Sequence, residues 1–596
     1  MNETERIDAD TNRGTWDLTI LYDGFDDPKL TADVDELKKL IEEAGKIASI
    51  RKELPHKDLL HRYIDTAEKT GELLEKLFQY TYLVYSTDTS NNQAMALMGK
   101  LRAMSASIAP YDTAVQHEIA AMQDLDEIVG GDNALKEYSY FISRIKEDNK
   151  YLLGEKEEEI MALMSTSGAD AWSELHDTLT STVNVNYRGE NITLSEVRNL
   201  AYDSDPQVRK DAYEAELACY PAVEQGAAFA LNSIKLQVIN ECRLRGFESP
   251  LAQALYKSRM SRETLDALIG AMNEYMPKFR EYLKAKGRAL GHDNGLPWYD
   301  MFAPMGSIDR KYTVEEAKDY LLDIFGKFDG ELHDMVKRAF EERWIDFFPR
   351  KGKVGGAFDA GVPSAKQSRV LTNFDGAFGD IVTLAHELGH AFHDRQVFSH
   401  SPLQQSYSMP VAETASTFNE VLVVSTAIEQ AETKEEKIAL IENQLSDACQ
   451  IICDIYSRYL FEMSVFDNRD NEFMAPARMC ELMHQAQLSS YGDGITEDTL
   501  HPYMWLCKGH YYNGGLSFYN FPYAFGGLFA RGLYALYKEK GSDFVPLYKT
   551  LLNATSVNNV EDTAKLAGID LTDKAFWRAG LQSLSEEIDL FEELIG

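Results

Sequence analysis

The chain has 596 residues, of which 44% are apolar and 26% charged, with a formal net charge of −36. That balance suits a water-soluble globular protein, and so large a negative field repels phosphate backbones, which excludes nucleic acid as an expected partner. No run of 18 apolar residues occurs, so no membrane span is expected. The first residues, MNETERIDADTN, are acidic and polar and lack the basic and apolar parts of a secretory signal. Six cysteines are too sparse for a disulfide scaffold. Free thiols in a reducing cytoplasm are the simplest account, with Cys449 and Cys453 four apart in a helical pattern.

In chain order, helical spacing dominates. DVDELKKLIEEAGKIAS (33–49) places apolar residues three and four apart, as do 73–85 and 94–122. STVNVNYRGENITL (181–194) alternates around Arg188-Gly189 and predicts a short hairpin. The patterns over 205–245, 262–290, 314–343, 434–465 and 469–490 each predict one helix. Between them, 352–376 is rich in glycine and then extended, with RVLTNF (369–374) as a strand. That strand either adds a substrate backbone to its edge or is an ordinary core hairpin.

IVTLAHELGHAFHDRQ (381–396) follows, with Asp380 as a candidate N-cap. His386 and His390 stand four apart and share one helix face, so both can converge on a metal ion. Glu387, one step round, reaches a water rather than the ion. Leu384, Ala385, Leu388, Ala391 and Phe392 surround this trio, and burying it without a shared partner would be costly. Gly389 costs up to ~1 kcal/mol in a helix, which implies a close approach to its backbone. His393 lies about 10.5 Å along the axis from His386 and is excluded as a ligand of the same ion. A third ligand is expected from SMPVAETASTFNEVLVV (408–424), an apolar helix with Glu413 and Glu420 seven apart on one face. One of the two can ligate while the other bonds a histidine's second nitrogen.

LAHELGHAFH followed by PVAETASTFNEVL resembles the zinc-site pair of the thimet oligopeptidase and oligoendopeptidase F group of metallopeptidases. GTWDLTILYDGFDDP (14–28), RVLTNFDGAFGDIVTLAHELGHAFH and HYYNGGLSFYNFPYAFGGLFARGL (510–533) are similar to the oligoendopeptidase F branch. The resemblance implies one Zn²⁺ held by His386, His390 and Glu413, with Glu387 as general base and Glu420 behind the ligands. It implies a mostly helical, elongated, two-lobed body with a deep central channel. Residues 1–195 would form the N-terminal region and 196–596 the catalytic region. The activity implied is hydrolysis of internal bonds in unfolded oligopeptides, in the cytoplasm. Tyr523, His510 and Tyr519 are the expected donors to the carbonyl oxygen, and Gly514-Gly515 a hinge. The alternatives are a metallocarboxypeptidase on a similar frame, for which no arginine stands out in the sequence as the carboxylate site, and a non-catalytic peptide-binding scaffold. Glu387 speaks against the scaffold, because binding alone needs no base.

Overall fold

Helices, several of them capped at their starts by short polar side chains, build most of the chain, of which the computed structural model describes residues 14–308 and 310–596. The acidic segment 1–12 lies outside the described residues. Asn91 caps the helix Asn92–Ala121 by accepting from the Ala94 N–H, and Ser261 caps Arg262–Ala289 through the Thr264 N–H. No described helix is long and apolar enough to cross a membrane.

Several predicted helices are interrupted, each for a local reason. The pattern over 205–245 divides into Pro206–Cys219 and Glu224–Arg245, because Pro221 turns the chain through a short 3₁₀ segment, Tyr220–Ala222. The pattern over 314–343 divides at Asp329. Asp329 is extended and caps the second helix, Gly330–Glu341, through the Leu332 N–H. The helix expected over 469–490 begins only at Pro476, the first helical position, and ends at Tyr491. Lys434–Cys449 and Ile455–Arg469 run on through one π-helical stretch, Gln450–Asp454. Cys449 and Cys453 are buried and unpaired, as are two other cysteines among the six, all of them free.

Five strands occur among the described residues. β1 (Val185–Tyr187) and β2 (Glu190–Ile192) pair antiparallel around Arg188-Gly189, the expected hairpin. β3 (Ile345–Asp346), β4 (Phe358–Val362) and β5 (Gln367–Leu371) form a second sheet in the order β3-β5-β4. β5 is therefore the central strand. It pairs antiparallel with β4 from Gln367 to Leu371, while on its other edge Val370, Thr372 and Phe374 donate to the carbonyls of Trp344, Asp346 and Phe347. Both edges of RVLTNF are taken over the strand, which rules out backbone addition to it there. The edge strand is β4.

This sheet joins two cores. Alternate residues of a strand point to opposite faces, and Val370 joins the main core while Leu371 joins the core beneath the N-terminal helices with Trp16, Leu37 and Leu83. Against the sheet packs the helix Phe378–Val397, which carries the histidines. Asp380 is not its N-cap but its third residue. Its carboxylate reaches back to accept the N–H groups of Asp375, Gly376 and Ala377, at 2.9 Å each. Three backbone donors before the helix are thereby satisfied, and the carboxylate sits favourably at the positive end of the helix dipole.

Candidate metal centre

His386 and His390 project from the histidine helix, and Glu413 from the junction of two further helices. Glu413 closes the short helix Met409–Ala412 and precedes Thr414–Gln430, which lies across the histidine helix. The crossing is close because Gly389 has no side chain. A Cβ there would stand 2.5 Å from the Ala415 carbonyl oxygen and 2.6 Å from the Ser416 Cα. The partner expected at the Gly389 backbone is thus the backbone of the glutamate helix. Asn419 Nδ2 fastens the same crossing by donating to the Ala385 carbonyl at 3.2 Å.

The crossing brings three ligand-type atoms into one small space. His386 Nε2 and His390 Nε2 are 3.2 Å apart, and Glu413 Oε2 lies 3.3 Å from the first and 3.4 Å from the second. Donors bound to one tetrahedral ion at about 2.0–2.1 Å stand about 3.3–3.4 Å from one another. The residues present therefore fit the group. Glu420 Oε1 lies 2.8 Å from His386 Nδ1, on the far side of the ring, where a carboxylate fixes the tautomer and orientation of a ligating histidine. Ser416 Oγ donates to Glu413 Oε2 at 2.8 Å. The Glu387 carboxylate also comes within 4.8 Å of both histidines, a looser set than the trio with Glu413.

The electrostatics favour positive charge at this point. Burial opposes protonation of His386, but hydrogen bonds to Glu413 and Glu420 outweigh it and carry the imidazole up to about 10. Burial alone would raise Glu413, yet the two histidines hold it well below the usual carboxylate range. Without a metal, protons meet that demand; a divalent cation meets it by displacing them. Burial pushes the Glu387 carboxyl up, against the pull of His386 and His390. The Asp359 backbone, on edge strand β4, lies near that carboxylate and favours its charged form.

His393 stands apart from this group. It is buried, stacked on Tyr407 with ring centroids 4.2 Å apart, and bonded through Nε2 to Thr555 Oγ1 at 2.8 Å. Burial, with the charge of His390, lowers its imidazole to about 3, which keeps it neutral.

Two cavities meet at the histidines and share His386 and Glu420. One, of about 440 Å³, is bordered by Glu387, Asn373 and the glycine-rich approach to β4. The other, of about 800 Å³, reaches Glu413, Tyr523 and Arg531 and runs on beside the π-helical stretch. Tyr523 belongs to the helix Phe521–Lys540, which lies close over Glu413. A Cβ at Gly526 would be 3.0 Å from the Glu413 Cβ. Of the three expected oxyanion donors, Tyr523 alone lines these two cavities. Tyr519 stacks edge-on against it at 5.3 Å, and His510 against Tyr519 at 5.1 Å, so the three rings form a row leading away from the histidines. Arg458 Nη2 lies 2.8 Å from His510 Nδ1. Gly514, expected to hinge, is packed: a Cβ there would stand 2.6 Å from Ala169 Cβ.

Sequence reasoning did not select Asp359, Arg458 or Arg531. Asp359 and Arg458 come from elements that carry no motif. Arg531 was within reach, since it stands eight residues after Tyr523 on one helix and so shares its face.

The geometry agrees with what this chain resembles. Residues 199–583 match peptidase family M3, and residues 120–184 match the family described as Oligopeptidase F. The chain is 26% identical to the oligopeptidase PepF of Bacillus subtilis over 90% of its length and 81% of the relative's. It is 25% identical to the group B oligopeptidase PepB of Streptococcus agalactiae over 97% of both. Among solved structures, one from Chlamydophila abortus superposes with a TM-score of 0.83 at 21% identity, covering 98% of both chains. The oligoendopeptidase-F of Enterococcus faecium superposes with 0.70 at 19% identity, covering 94% of this chain and 97% of the other, so the mostly helical fold is shared. The chain belongs to peptidase family M3, with oligoendopeptidase F homologues, and is a metallo-endopeptidase.

Proposed function

We propose that the protein is a zinc-dependent endopeptidase that cuts internal bonds of short, unfolded oligopeptides. One observation carries this reading: two imidazole nitrogens and one carboxylate oxygen stand 3.2–3.4 Å apart beside a second, buried carboxylate, Glu387, where two cavities meet. His386, His390 and Glu413 would hold the metal, and Glu420 would orient His386. Two histidines and one glutamate with room for a further ligand is a donor set that suits catalytic zinc. When bound, zinc would supply a Lewis acid that polarises the scissile carbonyl and lowers the pKa of a water at the site.

The chain's own residues do the rest. Glu387 takes the attacking water's proton and then gives it to the leaving amine, and its raised carboxyl pKa brings it closer to the working pH for both transfers. The Asp359 backbone beside it favours the carboxylate form that accepts the proton. Tyr523 donates to the developing oxyanion. Tyr519 and His510 extend the row behind it, with Arg458 fixing the His510 ring. The two cavities on either side of His386 would take the substrate on either side of the cleaved bond. Both are lined by the catalytic region (196–596) alone; the channel between it and an N-terminal region (1–195) would open onto them. The unpaired cysteines suit a cytoplasmic setting.

A peptide blocked at both ends tests this reading against an exopeptidase. Internal cleavage of the blocked peptide, found by mass analysis of the products, is the expected result; an intact blocked peptide beside a cleaved free one would sink it. The donor role of Tyr523 has its own test. Losing one oxyanion donor costs about 2.7–4 kcal/mol, mostly in turnover. Tyr523→Phe removes the hydroxyl and leaves the ring, so kcat should fall by about 10²-fold or more, with metal content and thermal stability unchanged. Normal turnover would return Tyr523 to packing alone.

A further inference from the structure

The cavity of about 800 Å³ that reaches the candidate metal centre also holds a cation that the chemistry at that centre does not use. Arg531 is 7% exposed, lines this cavity, and makes no hydrogen bond among the described residues. Its one close charged partner is Glu587, at 3.8 Å, and Glu587 is already occupied by Gln444 Nε2, which donates to both its oxygens at 2.8 Å. A guanidinium has five N–H donors, and those of Arg531 face the cavity with no acceptor from the described residues within hydrogen-bond distance. The stem of Arg531 is well supported. It packs where the helices Phe521–Lys540 and Lys574–Ile595 cross, and a Cβ at Gly580 would stand 3.3 Å from the Arg531 Cβ. An anchored stem with an underused fork suits a carboxylate, which takes two parallel N–H bonds.

The position of Arg531 sets what it can read. Tyr523, Gly527 and Arg531 are four and eight residues apart on one helix, and all three line the cavity. Between Tyr523 and Arg531 the axis advances about 12 Å. Arginine side chains lean toward the helix N-terminus, which shortens the span. An extended peptide advances about 3.3 Å per residue, so two to four residues bridge the interval. Between Tyr523 and Arg531, Ile451 packs onto Gly527, its Cδ1 2.4 Å from where a Cβ would stand, so Ile451 shares this wall of the cavity.

We propose that Arg531 binds a carboxylate of the peptide substrate two to four residues from the cleaved bond, and so determines which bond is cut. The inference rests on the endopeptidase reading above. The carboxylate is either the chain terminus or an aspartate or glutamate side chain. A carboxypeptidase needs this contact one residue from the cleaved bond, which is too near for Arg531. Asp447 faces the same cavity, and burial and the neighbouring carboxylates raise its carboxyl against the pull of the Arg531 charge. It competes with an incoming carboxylate, so neutralising it should strengthen the preference.

The test compares peptides of graded length as free acids and as C-terminal amides, and amidated peptides with aspartate or asparagine at each position. Full-length zinc-loaded protein should cleave the acid over the amide, or aspartate over asparagine, by about tenfold or more in kcat/KM when the group lies two to four residues from the cut. An effect of the terminus alone identifies a terminal carboxylate; an effect in the amidated series identifies a side chain. Arg531→Gln should level each pair, Arg531→Lys should keep part of the difference, and Asp447→Asn should widen it. A merely structural arginine would slow acid and amide alike. The Kd of each pair for zinc-loaded Glu387→Gln protein gives the same ratio without turnover. If no peptide is cut but the acid still binds tighter, and Arg531→Gln removes that difference, the peptidase reading falls and with it the choice of bond, while the carboxylate contact of Arg531 stands. Equal rates and equal Kd values for every pair with the wild-type site, or discrimination that survives Arg531→Gln, would overturn the inference.

Discussion

Glu387→Gln should abolish most peptide cleavage while leaving the metal in place. The substitution preserves the size and shape of the side chain and removes only its capacity to take a proton. General base catalysis contributes about 10²–10⁴-fold, so kcat should drop within that range. Two features of the structure make this a clean experiment. Glu387 points to the smaller cavity and is outside the tight trio of His386, His390 and Glu413, so metal content should hold. It is also buried, and Gln keeps the shape of the side chain, so stability should hold as well. Metal analysis beside single-turnover cleavage checks both. Near-normal turnover in a fully loaded variant would mean that another group takes the proton.

Removing the metal should abolish cleavage, and zinc should restore it. Glu413→Ala should make that loss permanent at ordinary zinc concentrations. Its carboxylate closes the third corner of the donor set, within 3.4 Å of both histidines. Without it, two neutral imidazoles remain, too few for a zinc site. Glu420→Ala differs in kind. Glu420 touches only the far nitrogen of His386, and losing such a support typically costs about 10–100-fold in affinity or activity. Titration with zinc should therefore rescue Glu420→Ala and fail to rescue Glu413→Ala. Equal metal loss in both variants would reverse or merge the two roles.

The contrast between these glutamates marks where reading the sequence stops. Their seven-residue spacing places both on one helix face, and the apolar residues around them say that the face is inward. Spacing cannot say which carboxylate meets the ring nitrogens that point at an ion and which meets the one behind. That choice depends on the crossing of two helices, set by contact between Gly389 and the Ala415–Ser416 backbone.

Local periodicity and local chemistry were legible in the chain alone. They include the mostly helical body, the hairpin at Arg188-Gly189, the pairing of His386 with His390 on one turn, and the exclusion of His393 by axial distance. Each depends on residues a few positions apart, where backbone geometry is nearly invariant. The helix breaks at Pro221 and Asp329 were locally encoded too, but periodicity runs through them because apolar faces continue on both sides. Tertiary structure decided the rest, because it depends on which distant segments touch. It made RVLTNF a central strand rather than an open edge, by seating Trp344–Phe347 beside it. It set Tyr523 over Glu413 and left His510 two rings away. It also turned Arg531, one arginine among many in the sequence, into a buried cation on the wall of the cavity that reaches the histidines.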